Sequence, residues 1–203
     1  MALTLSKYNQ VDPMPSRWAV GFALVLLPPL AGEPCVARMD PVLDSVRGAA
    51  YPEISVQEIL VRPFASKSDY FRASPDWFRL PTGRRMRYVM SVNSQLCSLQ
   101  APEDGVRAIM AHELAHVVYY KRGSRWRLFG MVRYLSPQWR ANFERGADRA
   151  AIHRGFGPGL KAYRLWLYRN VPPDKLPEKM RNYLSPDEIE VAVRLAATGQ
   201  TGR

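Results

Sequence analysis

"AIMAHELAHVVYY", residues 108–120, decides how the rest of this chain is read. Apart from His112, Glu113 and His116 the run is uncharged, and it reads as a buried helix. Three polar side chains inside such a helix need a common reason, because a buried polar group without a partner costs on the order of several kcal/mol. Positions four apart lie one above the other on one helix face, so His112 and His116 can aim their imidazoles at a single point. Two neutral imidazoles suit zinc. Glu113 is rotated by about 100° from His112, which places it beside the metal, where a carboxylate can take a proton from a metal-held water.

A catalytic zinc takes three protein ligands and leaves one position open, so a further ligand is expected elsewhere. The chain has three histidines, and His153 is the one outside the motif. "FERGADRAAIH", residues 143–153, also offers Glu144 and Asp148 at helical i,i+4 spacing. Glu144 is the favoured ligand, with Asp148 accepting the free ring N–H of a ligand histidine and so fixing its tautomer. Gly146 and Ala147 would let the two helices approach. His153 lies half a turn out of phase with Glu144 on a straight helix and suits a helix C-terminus instead.

Proline at a first helical position marks four helix starts, at Pro41, Pro102, Pro137 and Pro186. Ser185 with Glu188 adds a capping box to the last. One helix is expected from 102 to about 121, with Glu103 and Asp104 in its first turn and Gly123 as its stop. A second runs from 137 to about 154, before Gly155, and a third covers "GLKAYRLWLYRN". Upstream, "QEILVRPF", "DYFRA", "WFRL" and "MRYVMSV" read as short strands, with "PTGRR" as a turn between the last two. Strands gathered before helices indicate an α+β fold, with a small sheet packed on the His112 helix and a mainly helical C-terminal part.

"HELAH" (112–116) followed by "ERGAD" (144–148) resembles the HExxH…ExxxD pattern of gluzincin metallopeptidases, in particular the HtpX and CAAX-prenyl-endopeptidase type and the minigluzincins. The resemblance reaches upstream through "YVMSVNSQLCSLQAPEDGVRAIMAHELAH" and covers roughly residues 55 to 165. It implies a zincin-like fold, a Zn2+ ion held by His112, His116 and Glu144, Glu113 as general base, and Asp148 supporting a ligand. It also implies that the strand before the active-site helix, Arg87 to Val92 here, binds an extended peptide or protein substrate by edge pairing. Unlike the integral-membrane members, the chain has no apolar run of the roughly 18–20 residues that spans a bilayer. The expected activity is a zinc-dependent endopeptidase acting on unfolded or extended protein segments, with Tyr163, His153 or Arg149 as the candidate oxyanion stabiliser.

The N-terminal stretch Trp18 to Leu30 suits the apolar region of a signal peptide, and Ala31 and Gly32 follow it. Residues 1–32 are therefore expected to be a signal peptide or anchor, and 36–203 a single metallopeptidase domain. Export to the periplasm, a membrane surface or the medium follows, with the cytoplasm and a buried first helix as the alternative. Cys35 and Cys97 either pair in an oxidising compartment or stay as two buried thiols. The formal net charge of +11 favours anionic surfaces. Its densest part, residues 119–140, interleaves arginines with aromatics; it reads first as a solvated basic face and next as contact with an anionic membrane surface, with nucleic acid disfavoured. Two rival functions stay open: a cytosolic HExxH protease that cuts a repressor, and a non-enzymatic zinc protein binding lipid or nucleic acid.

Overall fold

The computed structural model describes residues 33–79, 81–82, 84–123 and 136–199. Helices α1 (Glu33–Ala37) and α2 (Met39–Ala50) precede strands β1 (Ile59–Phe64), β2 (Phe71–Pro75) and β3 (Tyr88–Asn93). A one-turn helix α3 (Gln95–Ser98) leads into α4 (Glu103–Arg122), and then come α5 (Pro137–Ala151), α6 (Gly157–Asn170), α7 (Leu176–Asn182) and α8 (Pro186–Ala197). The strands precede the main helices, and the fold is α+β. The leader expected over 1–32, and the part of the basic aromatic segment from 124 to 135, lie outside the described residues. Among the described residues no helix is long and apolar enough to cross a membrane.

The sheet order is β1-β3-β2, with β1 parallel and β2 antiparallel to β3. This overturns the expectation that Arg87 to Val92 offers a free edge: β3 is hydrogen-bonded on both sides, because the crossover from β1 leaves room for β2 to return along the opposite flank. The expected strand "WFRL" is also replaced. Trp77–Arg79 form a 3-10 turn, closed by Arg79 N–H donating to the Asp76 carbonyl. Asp76 N–H donates to the Arg87 carbonyl, which ends the β2–β3 pairing just before the turn. Phe78 is 90% exposed there, so a strand would have had no surface to pack against.

β3 buries Tyr88, Met90 and Val92 on alternate positions, as a strand with one face on the core must. They share one apolar cluster with Met110, Leu114 and Val117 of α4 and with Val46, Tyr51 and Ile54 from the N-terminal part. α4 is buried almost all round, which is why its apolar pattern looks continuous. Its acidic residues Glu103 and Asp104 and its basic residues Lys121 and Arg122 complement the helix dipole at opposite ends. Pro102 is its N-cap, one residue earlier than the position expected for it. Cys35 on α1 and Cys97 on α3 form a disulfide, which settles the choice between a bridge and two thiols.

The Ser136 hydroxyl accepts from Trp139 N–H at the start of α5. Regular α-helical bonding gives way after Ala151 to a wider helical turn over Ile152–Phe156, and the helical backbone breaks at Gly155, just past the expected end near 154, where φ is 91°. That backbone is strained for any L side chain, so Gly155 ends the helix. α6 then returns against α4 at very close range. A Cβ on Gly159 would lie 2.3 Å from the Asp104 carbonyl oxygen, and one on Gly105 3.1 Å from Tyr163 Cβ. Ser185 and Glu188 cap α8 reciprocally, with both backbone N–H groups bonded to the other's side chain.

Candidate metal centre

α4 presents His112 and His116 one turn apart, with ring planes at 87° and the two Nε2 atoms 3.1 Å apart. α5 crosses α4 and brings Glu144 Oε2 to 3.2 Å from His112 Nε2 and 3.1 Å from His116 Nε2. All three side chains are buried. One ligand atom from each lies within 4.8 Å of the others, so this group could hold a metal ion.

The chemistry of the donors tests that fit. Asp148, one turn beyond Glu144, places Oδ1 2.8 Å from His112 Nδ1. A carboxylate there draws the ring proton to Nδ1, which leaves the Nε2 lone pair facing inward. That lone pair then meets a second imidazole nitrogen and a carboxylate oxygen at near 3 Å. Three electron-rich atoms gathered out of water require a cation among them, either a proton or a metal. Burial opposes charge on His112, yet its bonds to Asp148 and Glu144 raise its pKa from 6.5 to about 10 when no metal is bound. Burial would also raise Glu144, but the two histidines overcome it and hold the carboxyl well below its usual range. A set of two nitrogens and one carboxylate oxygen is among those found at catalytic zinc.

Asp148 is in turn fixed from three sides. It is fully buried and accepts from Arg164 on α6 at 3.1 and 3.3 Å, and from the Leu184 backbone N–H at 2.8 Å. Burial would raise its pKa, and Arg164 with His112 overcome that and lower it. Arg164, also fully buried, lies with its guanidinium 4.4 Å from the Tyr183 ring centroid. His116 is held differently: Phe143 stacks on it with centroids 4.4 Å apart, and Trp139 stacks on Phe143 at 4.9 Å.

Glu113 sits beside the triad. Its Oε2 accepts the Ala73 backbone N–H of β2 at 2.6 Å, which orients the carboxylate. Burial raises its pKa, opposed by the nearby histidines. A cleft of about 520 Å³ is lined by Glu113, His116 and Glu144, by Phe71 to Ser74 of β2, and by Lys179, Asn182 and Tyr183 among others. β2 is the strand that borders it. Asn93 N–H donates to the Tyr70 carbonyl and Asp76 N–H to that of Arg87, so the even-numbered residues of this strand bond toward β3. By alternation Phe71 and Ala73 turn their backbone groups toward the cleft.

The sequence-based site residues thus separate into two groups. His112, Glu113, His116, Glu144 and Asp148 come together. Tyr163 is buried beside Glu113 in a narrow space of about 20 Å³ behind the cleft, and burial pushes its phenol upward in pKa. Arg149 and His153 are exposed and border neither the cleft nor the triad, because Arg149 is on the outer face of α5 and His153 belongs to the turn after it. Gly146 is exposed too, with no atom near its missing Cβ, so it plays no part in the approach of α4 and α5. Sequence reasoning missed Arg164, Asn182 and Tyr183. A lone arginine inside "AYRLWLY" was a usable signal for the first, since a buried charge needs a partner.

Compared with protein-family models, with curated proteins and with solved structures, the chain matches none.

Proposed function

We propose that the chain is a zinc-dependent endopeptidase of zincin-like architecture, related in its site to the gluzincins it resembles. The observation that carries this reading is the position of Glu113: a buried carboxylate next to a His112, His116, Glu144 group, opening on a cleft with a strand along its flank. A purely structural zinc is usually closed by four ligands and often uses cysteine, whereas three ligands beside a cleft and a carboxylate suit hydrolysis.

Zinc, when bound by His112, His116 and Glu144, would polarise the scissile carbonyl and acidify a water. Glu113 takes a proton from the attacking water as its oxygen bonds to the carbonyl carbon, and returns a proton to the amine as the C–N bond breaks. The Ala73 N–H holds that carboxylate in place during both transfers. Asp148 keeps His112 in the tautomer that points Nε2 inward, and Arg164 keeps Asp148 ionised. An extended substrate pairs with β2 through the outward backbone groups of Phe71 and the carbonyl of Ala73, whose N–H stays with Glu113, a sequence-independent mode that suits unfolded segments. Tyr183, half-buried on the cleft wall with its ring 5.9 Å from that of His112, takes the place of Tyr163 as candidate oxyanion donor. The Cys35–Cys97 disulfide supports an exported protein, since such bridges persist in oxidising compartments.

The test is metal analysis of the purified chain together with hydrolysis of denatured casein by wild type and by Glu113→Gln. Stoichiometric zinc in both and cleavage by wild type alone are expected. Casein cleavage by the variant at the wild-type rate would overturn the assignment.

A further inference from the structure

A second groove, of about 340 Å³, is lined by α4 and α5. It shares His116 and Phe143 with the cleft, but neither Glu113 nor Glu144 lines it. Val118, Tyr119, Phe143, Ala147 and Ala150 give it apolar walls, and Tyr119 is 55% exposed. Gly146 also lines it, in the interior of α5. Glycine there is unfavourable compared with alanine, so its presence needs a reason. Close packing is not the reason, since no atom lies within 4 Å of where its Cβ would stand. The space left by the missing side chain belongs to the groove.

The charge on the lining has one sign: it includes Arg122 and Arg154 and no carboxylate. Arg154 is engaged, with the Ala50 carbonyl and with Glu53 at 2.8 Å, and its guanidinium lies 4.0 Å from the Tyr51 ring centroid. Arg122 is exposed and makes no hydrogen bond or ion pair among the described residues. A single uncompensated cation beside apolar walls complements a single anionic group on an apolar body. The walls offer little to a peptide main chain. Asn142 accepts from Gln138, and the Tyr51 hydroxyl donates to the Ala111 carbonyl, so bound amides would lose water without gaining partners.

We infer that the groove between α4 and α5 binds a small amphipathic monocarboxylate, with its alkyl body against Phe143, Ala147 and the space at Gly146 and its carboxylate on Arg122. This site goes beyond the endopeptidase reading and does not depend on it.

The test is calorimetric titration of the full chain with decanoate, in wild type, Gly146→Leu and Arg122→Gln. Wild type should bind one decanoate per chain. Gly146→Leu fills the groove and should weaken binding by at least about tenfold, with a melting temperature unchanged or higher because leucine is the better helix former. Arg122→Gln, at an exposed position, should weaken it by about fivefold. Octanoate, shorter by two methylenes, should bind about tenfold more weakly than decanoate. Decylammonium, with the same chain and the opposite charge, should not bind. If Gly146→Leu does not fold, Arg122→Gln and the decylammonium control decide. Decanoate affinity that the variants leave unchanged would place the carboxylate elsewhere, the metal centre included, and overturns the site. Absence of decanoate binding, or equal binding of decylammonium, overturns it too. Tighter binding of a dipeptide with a free C-terminus than of decanoate overturns the ligand class. The casein assay is a separate readout, so failure here leaves the endopeptidase reading standing.

Discussion

Asp148 joins His112 to Arg164: a single carboxylate oxygen lies 2.8 Å from the imidazole Nδ1 and 3.1 Å from the guanidinium, and all three side chains are buried. The carboxylate thus stands between a permanent cation on α6 and a ligand histidine on α4. Replacing Asp148 by Asn keeps the shape but offers His112 a weaker acceptor. Zinc affinity should fall by about 10–100-fold, as measured by competition with a chromogenic chelator. Arg164→Met should lower it as well and also destabilise the fold, by about 3–5 kcal/mol, because it leaves a buried carboxylate without its cation. Unaltered zinc affinity in both variants would show that the triad does not depend on this support.

Glu113→Gln should lose hydrolysis by at least about 10²-fold while keeping zinc and melting temperature, since Gln still offers a carbonyl oxygen to the Ala73 N–H. A rate within a few-fold of wild type, measured on a fluorescence-quenched peptide, would remove Glu113 from the chemistry.

Ala73→Pro isolates one hydrogen bond. The Ala73 N–H donates to Glu113 and not to β3, so proline at this edge position deletes the carboxylate's anchor without breaking the ladder. The protein should fold, bind zinc and lose about tenfold or more in kcat. Ser74→Pro, whose N–H points at β3, should instead lower the melting temperature. Equal melting losses in the two variants would contradict the assigned alternation.

A metal ion and a proton would compete for the same lone pairs. Without metal the His112 pKa is raised from 6.5 to about 10, burial opposing and Asp148 and Glu144 prevailing. A group raised in the folded state adds stability that is fully present below pH 6.5 and is lost as pH climbs through about 10. The metal-free protein should therefore lose stability across that window. Zinc loading at pH 7.5 should release about one proton per chain, read by calorimetry in two buffers of different ionisation enthalpy. Loading with no proton release would mean that His112 is already neutral in the metal-free state.

Reduction of the Cys35–Cys97 bridge opens a loop whose ends are 62 residues apart. Chain-entropy reasoning puts its contribution at about 4 kcal/mol. A Cys35→Ser, Cys97→Ser double variant should show a correspondingly lower denaturation midpoint with little change in zinc content, since both cysteines lie outside the triad. An unchanged midpoint would mean that other contacts hold α1 in place.

α4 and α5 were legible in the sequence because their signals are local: the i,i+4 spacing of two pairs, prolines at helix starts, and acids ahead of bases. The pairing of Glu144 with His112 and His116 was legible for the same reason, since each side chain is placed by its own helix. Long-range order was not. Nothing local in "RYVMSV" and "DYFRA" tells which strand lies in the middle, because that depends on the path taken between β1 and β3. Edge pairing was therefore expected of a strand that has no free edge. "WFRL" carries strand-forming residues, yet pairing ends at Asp76 and leaves it as an exposed turn. Arg164 escaped notice because its partner is 16 residues earlier on another helix.

Gly105 and Gly159 are far from any chemistry, but they act as a gauge. With no Cβ on either, α6 comes close enough for the Asp104 carbonyl to sit where a methyl group would otherwise be. Arg164 lies five residues further along the same rod, so the separation set by an absent methyl group fixes how far the guanidinium reaches. A single carbon added at Gly159 would be transmitted through Arg164 and Asp148 to the imidazole of His112, and a change at a helix crossing would be read out as a loss of metal.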